Sequence, residues 1–143
     1  MVFYTDGSAH PNPGPGGFGV VIVDPKGEVI ETYAKHCDNT TNNAEEMKAI
    51  LYAACRARLA GESAIIYSDS AYAINTFTNW MYSWERNNWT KSDGKVPENL
   101  DLVKAFFDLS KTMDINFIKV KGHKGNKYNE LADKLATNAL LKP

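Results

Sequence analysis

The hydrophobic spacing of this chain switches once, near residue 41, and that switch limits the possible folds more than any other feature. Before it, β-branched and aromatic residues run at strand spacing. Residues 2–5 (Val-Phe-Tyr-Thr) lead into Asp6-Gly7-Ser8, and residues 18–23 form a second apolar run. Residues 29–36 alternate Val29, Glu31 and Tyr33 against Ile30, Thr32 and Ala34. Asp24-Pro25-Lys26-Gly27 is a turn sequence between the last two runs. Residues 9–17 hold three Pro and three Gly and are expected to be irregular backbone.

Beyond residue 41 the period becomes helical. Asn42-Asn43 can cap a helix whose apolar positions Met47, Ile50, Leu51 and Ala54 recur at three- and four-residue steps, with Gly61 as its stop. Ala64-Ile65-Ile66-Tyr67 is a short continuous apolar run, as expected of a strand buried on both faces. Ser70 caps a helix to about Trp80, residues 87–98 are a polar excursion, and 100–111 are helical again. A strand over 115–120 and a helix carrying Leu131, Ala132, Leu135, Ala136, Ala139 and Leu140 complete the chain. Three hairpin-linked strands followed by α-β-α-α-β-α predict an α/β fold, a mixed sheet flanked by helices. The later strands should run parallel to the first through right-handed crossovers. At 143 residues and 15.9 kDa there is room for one domain, 1–143, with an ordinary core at 43% hydrophobic residues. No run approaches the ~18 apolar residues of a membrane helix. The two cysteines, Cys37 and Cys55, match no metal spacing and suit a reducing cytoplasm, and a monomer is expected.

Four carboxylates sit where an acid is costly. Asp6 ends an apolar strand in register with Val2 and Tyr4, and Asp69 follows the Ile65–Tyr67 run. Glu46 lies four residues before Ile50, beside the core face of its helix. Asp133 is expected in the first turn of the last helix. Each acid alone has an ordinary explanation as a turn residue, a helix-start residue or a complement to a helix dipole. Together, two strand ends and two helix starts can converge on one crevice. Buried unpaired carboxylates cost several kcal/mol each, so such a cluster needs a positive partner. Oxygen ligands without a Cys or His cage point to Mg²⁺ or Mn²⁺. Four carboxylates suit two such ions ~4 Å apart, an arrangement that serves in-line phosphodiester cleavage.

Six motifs also resemble type 1 ribonuclease H. They are Thr5-Asp6-Gly7-Ser8, Asn12-Pro13-Gly14-Pro15-Gly16-Gly17, Thr40-Thr41-Asn42-Asn43-x-x-Glu46, Ser68-Asp69-Ser70, Val120-Lys121-Gly122-His123 and Asn129-x-x-x-Asp133. The resemblance implies a five-stranded mixed sheet of order 3-2-1-4-5. It implies endonucleolytic hydrolysis of the RNA strand of RNA–DNA hybrids, leaving 5′-phosphate and 3′-hydroxyl ends. By motif, Asp6 would bridge two Mg²⁺ ions, with Mn²⁺ as a substitute. Asp133 would help hold the ion that activates water, Glu46 and Asp69 would complete the other shell, and His123 would assist proton movement or product departure. Asn12, Asn42 and Asn43 would contact the hybrid, Thr41 would sit in a DNA-phosphate pocket, and Trp80 would belong to a substrate-gripping protrusion with Trp84 and Trp89.

The chain departs from the family pattern in three ways. Ala71 stands where many bacterial members have Gln, which removes one substrate contact. The protrusion over 85–98 is neutral, because Arg86, Lys91 and Lys95 are balanced by Glu85, Asp93 and Glu98. With five residues before Asp6, no appended hybrid-binding domain is expected. Charge is also uneven: nine acids face five Lys/Arg before residue 76, and eleven Lys/Arg face eight acids from there on. Lys119, Lys121, Lys124 and Lys127 form a basic stretch that is either a solvated loop or a contact for a polyanion. A catalytically dead binding module would not need all four acids. The first strand lacks the Asp-x-Glu of proofreading exonucleases, and the last acid is Asp133 rather than the Glu of integrases.

Overall fold

The structure is a computed structural model and describes residues 1–121 and 126–142. β1 (Val2–Ala9), β2 (Gly14–Val23) and β3 (Val29–Thr40) form an antiparallel meander. α1 (Asn42–Leu59) then crosses to β4 (Ala64–Ser68). α2 (Ala71–Asn75) continues through a π-helical turn over Thr76–Trp80 into α3 (Met81–Arg86). α4 (Leu100–Ser110), β5 (Ile115–Lys119) and α5 (Lys127–Leu141) follow. The sheet order is β3-β2-β1-β4-β5, with β4 parallel to both β1 and β5.

β1 divides the molecule because its side chains alternate across the sheet. Phe3 points into the larger core with Val20, Ile22, Met47, Ile50, Ile66, Phe77 and Phe106, under α1 and α4. Tyr4 points the other way, into a smaller cluster with Val21, Val23 and Ala132 under α5. Phe77 and Phe106 stack with centroids 4.1 Å apart, and each ring contributes about 1.5–3 kcal/mol by leaving water.

Several sequence expectations need correction. Residues 14–17 are strand, not irregular backbone, because Ser8 and Ala9 of β1 offer ladder partners to Gly17 and Gly16. β3 likewise runs on to Thr40. β4 is not buried on both faces: α5 lies over β1, β2 and β3, so Ile65 stays 37% and Ile118 43% exposed. Thr41, rather than Asn42 or Asn43, caps α1, its hydroxyl accepting from Ala44 N at 3.1 Å. α5 begins at Lys127 with Asn126 as its cap, which puts Asp133 in the second turn.

Candidate active site

Asp6 and Glu46 meet because a glycine stands between their elements. A Cβ on Gly7 would lie 2.5 Å from Glu46 N and 2.4 Å from the Glu45 carbonyl carbon, so only glycine lets β1 run this close to the first turns of α1. Gly19 plays the matching part on the other face. It pairs with Asp6 across the sheet, and a Cβ there would lie 2.6 Å from the Ala132 carbonyl oxygen. α5 can therefore settle on the sheet beside Asp6. Asp69 arrives from the carboxyl end of β4, which runs parallel to β1, at the edge where such sheets open their crevices.

Carboxylate oxygens of Asp6, Glu46 and Asp69 all lie within 4.8 Å of one another. Asp133 on α5 joins through Asp6, to which it is hydrogen-bonded. Asp6 is 5% exposed and Glu46 8% exposed, while Asp69 is half-buried. Burial is the main force on Asp6 and pushes its carboxyl up to about 7. A hydrogen bond from Glu46 pulls the other way, and Asp133 and the charge of Asp69 add to the rise. Glu46 is held well above the usual carboxylate range, first by burial and then by the neighbouring charge of Asp6. The Gly7 N–H donates to Asp6 Oδ1 at 3.0 Å and also moderates Glu46.

This donor set fits a divalent cation. Glu46 Oε2 is buried and finds no hydrogen-bond partner among the described residues. Three converging carboxylates repel one another until a positive charge enters. An all-oxygen set suits a hard ion such as Mg²⁺ or Mn²⁺.

A family model of RNase H matches residues 1–141. The ribonuclease H of Caldanaerobacter subterraneus subsp. tengcongensis is 44% identical over 146 residues, covering 97% of this chain and 90% of that protein. The ribonuclease H of Syntrophomonas wolfei is 39% identical over 141 residues, covering 98% and 95%. This chain belongs to the RNase H family. Among solved structures, a foamy viral protease-reverse transcriptase in complex with dsDNA matches with TM-score 0.89 and 25% identity, covering 99% of this chain and 94% of that one. LC11-RNase H1 in complex with RNA/DNA hybrid shares the fold with TM-score 0.74 at 24% identity, covering 99% and 96%.

The residues expected by RNase H motif to touch nucleic acid fall in two places. Asn12 and Asn42 are tied together: Asn42 N donates to Asn12 Oδ1 at 3.1 Å, and Asn42 Oδ1 accepts from Ala9 N at 2.7 Å. Both flank Thr41, whose hydroxyl is engaged in the helix cap, and half-buried Asn43 is the next residue along α1. This pins the loop after β1 to the start of α1, about one helical turn before Glu46. Trp80 belongs to a separate aromatic group, 37% exposed, with Trp84 at 6.3 Å and Tyr72 at 5.7 Å between centroids. Tyr72 thus leans toward the tryptophans and is only partly buried against the core where Phe77 and Phe106 sit. His123 lies outside the described residues.

Two features went unread in the sequence. Tyr128 lies tilted against Tyr4 at 5.0 Å, Tyr4 itself stacks on Tyr67 at 4.3 Å, and the Tyr128 hydroxyl donates to the Gly27 carbonyl, tying the start of α5 to the β2–β3 turn. Their even spacing in the strands, Tyr4 two residues before Asp6 and Tyr67 two before Asp69, was the available signal. Glu45, only 1% exposed, was overlooked beside Glu46. The i,i+3 pairing of Glu45 with Lys48 was the only sequence hint to it.

Proposed function

We propose that this protein is a metal-dependent endoribonuclease that hydrolyses the RNA strand of RNA–DNA hybrids, leaving 5′-phosphate and 3′-hydroxyl ends. The observation that carries this reading is the convergence of Asp6, Glu46 and Asp69 within 4.8 Å, with Asp133 against Asp6. The family membership supports the substrate, as does the likeness to proteins solved in complex with RNA/DNA hybrid. Two Mg²⁺ ions, with Mn²⁺ as a substitute, would supply charge neutralisation at the scissile phosphate and a water of lowered pKa.

The chain's own residues divide the remaining work. Asp6 is the acid on which the other three act and would hold both cations. Asp133 would help hold the ion that activates water, and Glu46 and Asp69 would help hold the other ion. Burial around Asp6 and Glu46 excludes water, which strengthens each electrostatic contact. His123, beside the glycines Gly122 and Gly125, takes the role of moving a proton or releasing product. Asn12, Asn42 and Asn43 supply amides that donate and accept, suited to the minor groove and its 2′-hydroxyls. Thr41 would sit at a phosphate of the DNA strand, and Trp80, on the helical turn before the 85–98 protrusion, would help grip the hybrid. The unit is a single catalytic domain over 1–143, acting as a monomer. The free thiols Cys37 and Cys55 fit a reducing cytoplasm, and no helix among the described residues is long and apolar enough to cross a membrane.

A cleavage gel tests this reading with labelled RNA–DNA hybrid, RNA duplex, DNA duplex and single-stranded RNA, each in Mg²⁺, Mn²⁺ or EDTA. Cutting is expected of the hybrid's RNA strand alone, and only with a metal. Cutting in EDTA, or of all four substrates alike, refutes it.

A further inference from the structure

The smaller cluster under α5 is built on apolar side chains, Val21, Val23 and Ala132, with Leu131 and Leu135 at its edge. Three tyrosines enter it from three elements: Tyr4 of β1, Tyr67 of β4 and Tyr128 of α5. Tyr4 and Tyr67 are register partners on parallel strands, and their rings stack with planes 10° apart. Phenylalanine would fill the same space and leave no hydroxyl to satisfy among apolar neighbours. The hydroxyls therefore need a reason of their own.

The Tyr4 hydroxyl joins all three elements. Tyr4 is 8% exposed, and its hydroxyl hydrogen-bonds to the side chains of Asn126 and Tyr67. Asn126 is the cap of α5, its Oδ1 accepting from Tyr128 N at 3.0 Å and Asn129 N at 3.1 Å, which leaves its amide N–H to donate to Tyr4. Each element held in this way carries an acid of the cluster a short way on. Asp6 lies two residues beyond Tyr4 on the same face of β1, Asp69 two beyond Tyr67, and Asp133 seven beyond Asn126. Two residues of strand span about 6.6 Å, so on this face of the sheet the tyrosines are the next layer below the acids.

We propose that Tyr4 is a positioning residue for the metal centre, its hydroxyl fixing where α5 presents Asp133 to Asp6 and Asp69. This rests on the metal-dependent reading of the acid cluster. The length of the lever makes the position sensitive. Asp133 stands about 10 Å along α5 from the cap, so a swing of about 5° moves its carboxylate by about 1 Å. Ligand distances in a metal site hold to about 0.2 Å, and Mg²⁺ accepts little departure from octahedral geometry. Untying the cap from β1 thus loosens the site while leaving its charge and every ligand in place. The Tyr128 hydroxyl, on the Gly27 carbonyl, braces the same helix start from the other side.

Tyr4→Phe keeps the ring stack and removes only the hydroxyl. Mn²⁺ binding to the full chain is followed by loss of the free-ion EPR signal and by the rise of the melting midpoint with Mn²⁺. In both, Tyr4→Phe is expected to need about tenfold more Mn²⁺ than wild type, the low end of what lost outer partners of metal ligands cost. Cleavage of labelled hybrid at saturating Mn²⁺ should return to near the wild-type rate. Tyr67→Phe, which removes the β4 partner of the same hydroxyl, should shift binding in the same direction by a smaller factor. Val23→Ala leaves a void in the same cluster and serves as the control for stability alone. It should lower the metal-free midpoint and leave the Mn²⁺ requirement unchanged. Should Tyr4→Phe fail to fold, Tyr67→Phe set against Val23→Ala decides. An equal Mn²⁺ requirement in wild type and the Phe variants, or an equal rise in Val23→Ala, overturns the proposal. No Mn²⁺ binding by wild type overturns the metal centre itself, and the positioning role with it.

Discussion

Removing the charge of Asp6 should stabilise the metal-free protein while abolishing its chemistry. In the folded chain the Asp6 carboxyl is raised from 3.8 to about 7, chiefly by burial and further by Asp133 and Asp69. That difference corresponds to about 4 kcal/mol between the protonated and ionised forms, an upper bound because the group is coupled to Glu46. A raised folded pKa means that the folded state binds the proton more tightly. The contribution to stability is therefore full below the unfolded value and is lost as pH rises through about 7. Asp6→Asn keeps the shape and cannot ionise, but its amide remains a buried polar group, so about half of the bound, ~2 kcal/mol, is expected back. For a domain of this size that raises the melting midpoint by about 4–8 °C. The assay is a thermal melt of both proteins in EDTA at about pH 8.5 and about pH 5, followed by a repeat in Mg²⁺. The gain should be large at the higher pH and nearly vanish at the lower, where the wild-type carboxyl is already protonated. Mg²⁺ should then raise the wild-type midpoint and leave the variant's almost unmoved. A gain of the same size at both pH values, or a lower midpoint for the variant, refutes the reasoning.

Three further outcomes follow from the same structure. His36 Nε2 lies 2.8 Å from Asp38 Oδ1, and Nδ1 lies 2.9 Å from the Ala139 carbonyl near the end of α5. Asp38 first and Ala139 second raise its pKa, so wild type should exceed His36→Ala in stability below about pH 6.5 and lose the advantage as pH rises past the folded value. Urea unfolding across that range checks it, and a pH-independent gap refutes it. Gly19→Ala places a Cβ 2.6 Å from both the Ala132 carbonyl oxygen and Leu135 Cβ. It should cost about 1–3 kcal/mol by urea unfolding and lower the cleavage rate more than hybrid affinity, because α5 carries Asp133. Finally, the neutral protrusion over 85–98 should make hybrid binding only shallowly salt-dependent. A titration slope equivalent to eight or more contacts, at about 0.9 each on B-form duplex, would contradict this.

The order of the sheet was legible because its punctuation is strong: Asp24-Pro25-Lys26-Gly27 closes the β2–β3 turn, and Gly61 follows α1. Elsewhere the same punctuation misled. Three glycines and Pro15 over residues 14–17 read as loop, yet β1 supplies the partners that make them strand. Local composition carries no information about a distant ladder. The apolar run of β4 read as buried twice, but how far a helix reaches across a sheet is set by packing, and α5 stops at β1. Thr41, Asn42 and Asn43 are all good caps, and only the link from Asn42 to Ala9 and Asn12 leaves Thr41 to cap the helix.

The acids show the same division more sharply. Asp6, Asp69 and Glu46 were legible because each interrupts an apolar pattern, although Asp6 lies inside β1, which runs on to Ala9, and does not end the strand. Glu45 interrupts nothing visible, for it stands beside Glu46 and reads as half of an ordinary acidic first turn. One residue of α-helix rotates a side chain by about 100°. That rotation sends Glu46 toward Asp6 and Asp69, and Glu45 toward Thr40 and Lys48. Both end almost fully buried, and each keeps one oxygen without a partner among the described residues. The two orphans differ in what surrounds them. Beside Glu46 stand further carboxylates, which only cations can reconcile. Beside Glu45 the negative charge is already met by Lys48. Adjacent, identical residues thus point about 100° apart around one helix, and what each lacks follows from its neighbours rather than from its own chemistry.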